Sequence, residues 1–141
     1  AKRFGLLDYG GPMVVAIRDW VAQEITYLSG ASGLSTTALD TFTSREGVCR
    51  DFTHMVCALC RAVQIPARYA SVYAPGVNPP DFHAVAQVWL NGSWHIVDAT
   101  GMCSETTAVV IAVGRDACDV AFMESSGPVT LVSQHVYVRY A

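Results

Sequence analysis

Cys49 stands two residues after Gly47, at the head of the stretch GVCRDFTHMVCALCRAVQIP. Val48, Phe52, Met55, Val56, Leu59 and Val63 recur on one side of a helix that Pro66 would end. A helix N-terminus holds unpaired N–H groups and a partial positive charge, which favour thiolate over thiol. The same N–H groups can hold an oxyanion. Gly47 lets the backbone turn tightly and leaves room for a substrate. Taken alone, Cys49 reads slightly better as a small buried residue, because free cysteines usually are.

A hairpin further along shifts that balance. HAVAQVWL and SWHIVDAT read as two strands joined by Asn91-Gly92, a strong two-residue turn signal. That turn pairs Leu90 with Ser93, Trp89 with Trp94, Gln87 with Ile96 and Val85 with Asp98. His83 shares the face of Val85, so Asp98 becomes its diagonal neighbour, roughly 7–8 Å away at the backbone. An imidazole and a carboxylate can bridge that gap, and the carboxylate would fix the ring's tautomer and stabilise its charged form. Cys49, His83 and Asp98, each at the end of an expected element, supply a nucleophile, a base and an orienting group.

These residues resemble the core of the transglutaminase-like superfamily. The resemblance is carried by GVCRDFTHMVCALCRAVQIPARY, by DFHAVAQVWLNGSWHIVDAT and by the tail GRDACDVAF, which is similar to the bacterial subgroup. It spans about residues 12–123. It implies a papain-like core in which Cys49 is the nucleophile, His83 the general base and Asp98 the orienting acid. It also implies an oxyanion donor beside the nucleophile, the backbone N–H of Cys49 first, with Tyr27 or Trp20 as side-chain candidates. The chemistry implied is acyl transfer at amide bonds of proteins or peptides through a thioester, of transglutaminase, deamidase or protease type. It requires no cofactor and no metal. The chain departs from the pattern at Val85, where relatives carry an aromatic after the His-Ala pair, and the upstream β-domain of many bacterial relatives is not visible. A peptide-binding module without catalysis is the alternative on the same fold.

Other polar residues read more plainly. Cys57 and Cys60 have CxxC spacing, but a structural zinc site needs two close ligand pairs and the second is missing. A redox CxxC would open a helix, and this one lies in the middle, so core packing is expected. His95 should point to the opposite sheet face from His83, while His135 has no carboxylate nearby in sequence. His54, five residues past Cys49, points away from it. Asp51 suits the positive end of the helix dipole. Arg115, Asp116 and Asp119 should form a polar turn held by their own ion pairs.

The elements that must position these groups follow from periodicity. Val14, Ile17, Val21, Ile25 and Leu28 make one apolar face of a helix over residues 10–30, with Pro12 in its first turn. SGASGLSTT is a loop, and TALDTFTS holds a turn or two of helix. ARYASVYAP is a strand ahead of the hairpin; TAVVIAVGRDACDVAF adds a strand and a polar turn, and PVTLVSQHVYVRY reads as a closing strand. Helices precede antiparallel strands, which is the α+β class. The 141 residues suit one domain, 1–141, and 52% hydrophobic with 15% charged residues describes a globular chain. A net charge of −3 without a basic patch gives no reason to expect nucleic acid, and no apolar run is long enough for a membrane span. Five cysteines, an odd number in no secreted framework, suit a reducing, cytoplasmic setting. A chain that opens on Ala1 without methionine reads as a piece of a longer or processed protein.

Overall fold

Pro12 opens helix α1 (Gly11–Glu24) in a computed structural model that describes residues 10–121 and 123–140. Proline suits that turn because its missing N–H would have had no partner in the helix. Val14, Ile17 and Val21 are buried along the inner face. The helix is shorter than its periodicity suggests. Ile25 is already extended, Thr26–Tyr27 form a short strand, β1, and Leu28 is exposed. The run Ile25, Thr26, Tyr27 favours extended backbone. The N–H groups of Thr26 and Leu28 then bond the carbonyls of Arg45 and Gly47.

Helix α2 (Ala38–Ser44) starts with a reciprocal cap between Thr37 and Asp40 and ends at Arg45 in the left-handed region. Strand β2 (Glu46–Gly47) pairs in parallel with β1. Helix α3 (Cys49–Ala62) follows at once. Strands β3 (Ala67–Tyr73), β4 (His83–Leu90), β5 (Ser93–Val97) and β6 (Val109–Gly114) form an antiparallel sheet in the order β5-β4-β3-β6. This is the α+β class expected from the order of the elements and the papain-like arrangement that the resemblance implies.

The core sits between α3 and the sheet. Phe52, Met55, Val56, Cys57 and Cys60 of α3 join Ala86 and Val88 of β4, Val97 of β5, and the apolar face of α1 in one buried cluster. Asn91 and Gly92 both take positive φ, 51° and 84°. Two consecutive left-handed residues match the twist of the strands they join. The observed register is Leu90 with Ser93, Trp89 with Trp94 and Gln87 with Ile96, as the turn dictates.

One expected element is absent. Residues 128–140 form no strand, although their alternation suits one. Strand preference is realised only against a partner and a buried face. Here Val129, Leu131, Val132 and Tyr137 are exposed, and Gln134 instead donates to Asp81 Oδ1 at 2.9 Å. Among the described residues, no helix is long and apolar enough to cross a membrane.

Candidate active site

The thiol of Cys49 is the first side chain of α3, partly buried at the helix N-terminus. The turn before it is pinned by Asp51, whose side chain is fully buried. Its Oδ2 accepts the Val48 N–H at 2.8 Å and the Ser32 hydroxyl. Arg50 Nη2 donates to the same Ser32 oxygen at 2.8 Å. Asp51 therefore does more than complement the helix dipole. It ties the loop after β1 to the start of α3. Gly47 leaves it room: a Cβ there would lie 2.6 Å from Asp51 Cβ.

His83 opens β4 and Asp98 directly follows β5, so the hairpin register brings them together. His83 Nε2 lies 2.9 Å from Asp98 Oδ2, with side chains 1% and 2% exposed. Five protein groups converge on this carboxylate. Oδ1 accepts the Thr100 N–H at 2.9 Å and its hydroxyl at 2.7 Å. Oδ2 accepts the Met102 N–H at 3.1 Å and the Cys103 N–H at 3.0 Å, besides His83. Burial raises the Asp98 pKa, but hydrogen bonds and the His83 charge outweigh it and hold the carboxyl below its ordinary range. Burial likewise disfavours a charged His83, yet contacts to Asp98, Cys103 and Cys49 raise its pKa well above the usual histidine value. Nε2 is committed to Asp98. Nδ1 is buried with no hydrogen-bond partner, so it is the nitrogen left to exchange a proton with a thiol.

Of the two aromatic candidates, Tyr27 lies beside Cys49. Its phenol lies beside the backbone N–H and the thiol of Cys49. Burial first, then the nearby Cys49 charge, raises the phenol pKa, so it stays a donor. The β1–β2 bridge, which aligns Tyr27 with Gly47, sets this position, and Phe52 packs 5.8 Å from its ring. Trp20 lies in the core, stacked on Phe42 at 6.0 Å with the Arg45 guanidinium over its ring.

The CxxC pair is core. Cys57 and Cys60 are 2% and 0% exposed, and burial pushes their thiols up to about 11 and about 12. His54 accepts from the Ala117 N–H at 3.2 Å, and burial lowers its pKa. His95 bonds Ser93 and lies 3.5 Å from Glu105. His135 stacks on Tyr137. Arg115 and Asp119 pair at 2.7 Å in the turn that follows β6.

Sequence reasoning assigned no role to Cys103. One ligand atom from each of His83, Asp98 and Cys103 lies within 4.8 Å of the other two. The available signal was Asp98-Ala-Thr-Gly101. An Asp two residues before a Thr and three before a Gly marks an Asx turn that folds the chain back on its own carboxylate, here with Gly101 at φ 73°.

With this geometry in hand, comparison with known proteins is informative. The family model of the transglutaminase-like superfamily matches residues 7–99, a span that includes Cys49, His83 and Asp98. A candidate cysteine protease from Cytophaga hutchinsonii, solved by crystallography, is 48% identical with a TM-score of 0.83, over 85% of this chain and 42% of that one. LapG of Legionella pneumophila shares the fold at 16% identity and a TM-score of 0.58, over 72% of this chain and 61% of LapG. A TGase shares it at 20% identity and a TM-score of 0.54, over 67% of this chain and 27% of that one. An uncharacterized protein of Mycobacterium leprae is 30% identical over 116 residues, 77% of this chain and 42% of that protein. The chain thus spans less than half the length of the curated relatives it matches.

Proposed function

The chain belongs to the transglutaminase-like superfamily, and from that premise we propose that it is a cysteine-dependent acyl-transfer enzyme acting on amide bonds of proteins or peptides. The observation that carries this reading is the His83–Asp98 pair at 2.9 Å, with the unpartnered His83 Nδ1 left for the Cys49 thiol.

In this reading His83 takes the Cys49 proton on Nδ1, and the imidazolium is stabilised by Asp98 through Nε2. The thiolate attacks the amide carbonyl carbon. The oxyanion that forms is held by the Cys49 N–H and the Tyr27 hydroxyl, which already face one another. The carbon–nitrogen bond then breaks, and the leaving amine or ammonia takes the proton from Nδ1. A thioester remains on Cys49. Water or an amine attacks it and gives its proton to Nδ1, and the thiolate departs. Asp98 stays ionised throughout. Water as the acceptor is the branch to test first, because the 48%-identical Cytophaga protein is described as a candidate cysteine protease.

The test is competitive labelling with iodoacetamide at mildly acidic pH, read by mass spectrometry for each cysteine. Cys49 should react well ahead of Cys118, which is exposed, and the lead should vanish in His83→Ala. Cys49 reacting no faster than Cys118 would remove the activated thiol and the reaction with it. Trapping a thioester on Cys49 with candidate peptides would then identify the acyl donor.

A further inference from the structure

The reaction above uses Cys49, His83, Asp98 and Tyr27, and leaves one thiol at the same imidazole without a part. The Cys103 sulfur lies within 4.8 Å of a His83 ring nitrogen and an Asp98 carboxylate oxygen, while its backbone N–H holds Asp98 Oδ2 at 3.0 Å. Its side chain is only partly buried. It lines, together with Asp98, an open cleft between α1 and β5 whose walls are Val14, Arg18, Ile96 and Glu105. Neither Cys49 nor His83 lines it, so the cleft reaches the cluster from the side of Asp98 and Cys103.

From this placement we infer that Cys103, His83 Nε2 and Asp98 form a binding site for Zn²⁺, entered through the α1–β5 cleft, whose occupation switches the thiol chemistry off. Imidazole nitrogen, thiolate sulfur and carboxylate oxygen are the donor set zinc prefers, at about 2.0–2.3 Å. Such bond lengths in a tetrahedron separate the ligand atoms by roughly 3.3–3.8 Å. The three atoms here lie within 4.8 Å of one another, with His83 Nε2 and Asp98 Oδ2 2.9 Å apart. That pair needs to open by about half an ångström to admit the ion. Three protein ligands leave a fourth position for water from the cleft.

Charge favours the same ion. Zn²⁺ against one thiolate, one carboxylate and a neutral imidazole gives a buried complex with no net charge, which low-dielectric surroundings tolerate best. Calcium or magnesium would need six or more oxygen ligands, and this cluster offers one carboxylate. On binding, one proton leaves, from the Cys103 sulfur, and the ring proton moves from Nε2 to Nδ1, so the ring stays neutral and Nδ1 becomes a donor. The metal takes the place of the proton between His83 and Asp98. The ring then loses its carboxylate and cannot pass through the imidazolium that proton transfer to and from Cys49 requires. That inhibitory consequence rests on the reaction proposed above; metal binding itself does not.

Cobalt(II) titration of the chelator-treated protein keeps the two separate, because a thiolate ligand gives a charge-transfer band in the near-ultraviolet. We expect one equivalent of Co²⁺, displaced by Zn²⁺, in the parent and in Cys49→Ser. Cys103→Ser and Cys103→Ala should lose the band. Both should keep their fold, because Asp98 is held by the backbone N–H of residue 103 and not by its sulfur. Zinc should also slow iodoacetamide labelling of Cys49 in the parent and leave it unchanged in Cys103→Ser. A band that survives in Cys103→Ser, or disappears in Cys49→Ser, would move the metal to the nucleophile and overturn the proposal. Absence of any band in the folded parent would do the same. A cobalt site in a protein whose Cys49 shows no enhanced labelling would sink the enzymatic reading and leave the metal site standing.

Discussion

Replacing Asp98 by Asn changes little in volume, yet the hydrogen bonds around it make the outcome calculable. The native carboxylate accepts from Thr100 N–H and hydroxyl on one oxygen, and from His83, Met102 N–H and Cys103 N–H on the other. An amide group offers one acceptor and one donor end. Turned toward His83, the NH₂ would oppose two backbone N–H groups. Turned toward Thr100, it opposes one, because the Thr100 hydroxyl can rotate and accept. The second arrangement is cheaper and still orphans the Thr100 N–H, which costs about 1–3 kcal/mol when buried. Asp98→Ala orphans all three N–H groups and leaves His83 unpaired, a loss of about 3–5 kcal/mol. Urea unfolding should therefore rank parent above Asn above Ala at an unchanged slope. The Asp98 pKa is lowered in the folded state, so its contribution is present above the unfolded carboxylate value and lost as pH falls through the folded one. The parent's lead over Asn should shrink in acid accordingly. Chemistry should move with stability. Without the carboxylate, the imidazolium loses its partner, and the rise of Cys49 labelling with pH should shift to higher pH. An Asn variant with the parent's unfolding midpoint and the parent's labelling profile would refute both the accounting and the role of the pair.

Three further outcomes follow from particular contacts. Tyr27→Phe should keep the unfolding midpoint, because the ring still packs on Phe52, while kcat on an amide substrate falls about 10²–10³-fold at little change in KM; parental kcat would exclude the phenol as an oxyanion donor. Gly47→Ala brings a Cβ to 2.6 Å from Asp51 Cβ and 2.9 Å from Asp51 Oδ2. Asp51 is pinned by Val48 and Ser32 and cannot yield, so denaturant unfolding should show a loss of about 1–3 kcal/mol, and an unchanged midpoint would contradict the packing. Cys57 and Cys60, pushed to about 11 and about 12 by burial, should resist iodoacetamide in the folded protein and react only in denaturant; stoichiometric native labelling of either would show that the helix face is not sealed.

How much of this was legible in the sequence depends on how far each feature relies on contacts distant along the chain. The hairpin was, because a two-residue turn leaves one register and strand alternation then fixes which side chains share a face. His83 and Asp98 follow from parity alone. The start of α3 was legible for a similar reason: a glycine, then an unbroken apolar stripe ended by a proline. The end of α1 was not, since Leu28 sits at the right interval for the helix face and the bonds from Thr26 and Leu28 to Arg45 and Gly47 are tertiary. The same bridge brings Tyr27 to Cys49, so the oxyanion candidate could be named but not chosen over Trp20. Residues 128–140 alternate like a strand and pair with nothing among the described residues, because alternation states a preference and a partner edge realises it. Cys103 was missed because the fold-back after Asp98 is a loop, held by the carboxylate itself.

What joins the two legible halves is the CxxC part of the motif, whose spacing could suggest zinc or redox chemistry but whose place in mid-helix reads as core. Helix and hairpin each fix their own residue, but neither sets the distance from Cys49 to His83. That distance is set by α3 lying on β4, where Met55, Val56, Cys57 and Cys60 meet Ala86 and Val88 in a core with little freedom to slide. Larger residues at 57 or 60 would lift the helix from the sheet and draw the thiol away from the imidazole without touching either. The CxxC pair thus contributes by being small, buried and inert. Cysteine is suited to that because it packs as a compact hydrophobe, and its desolvated thiol resists the ionisation that the proposed reaction asks of Cys49.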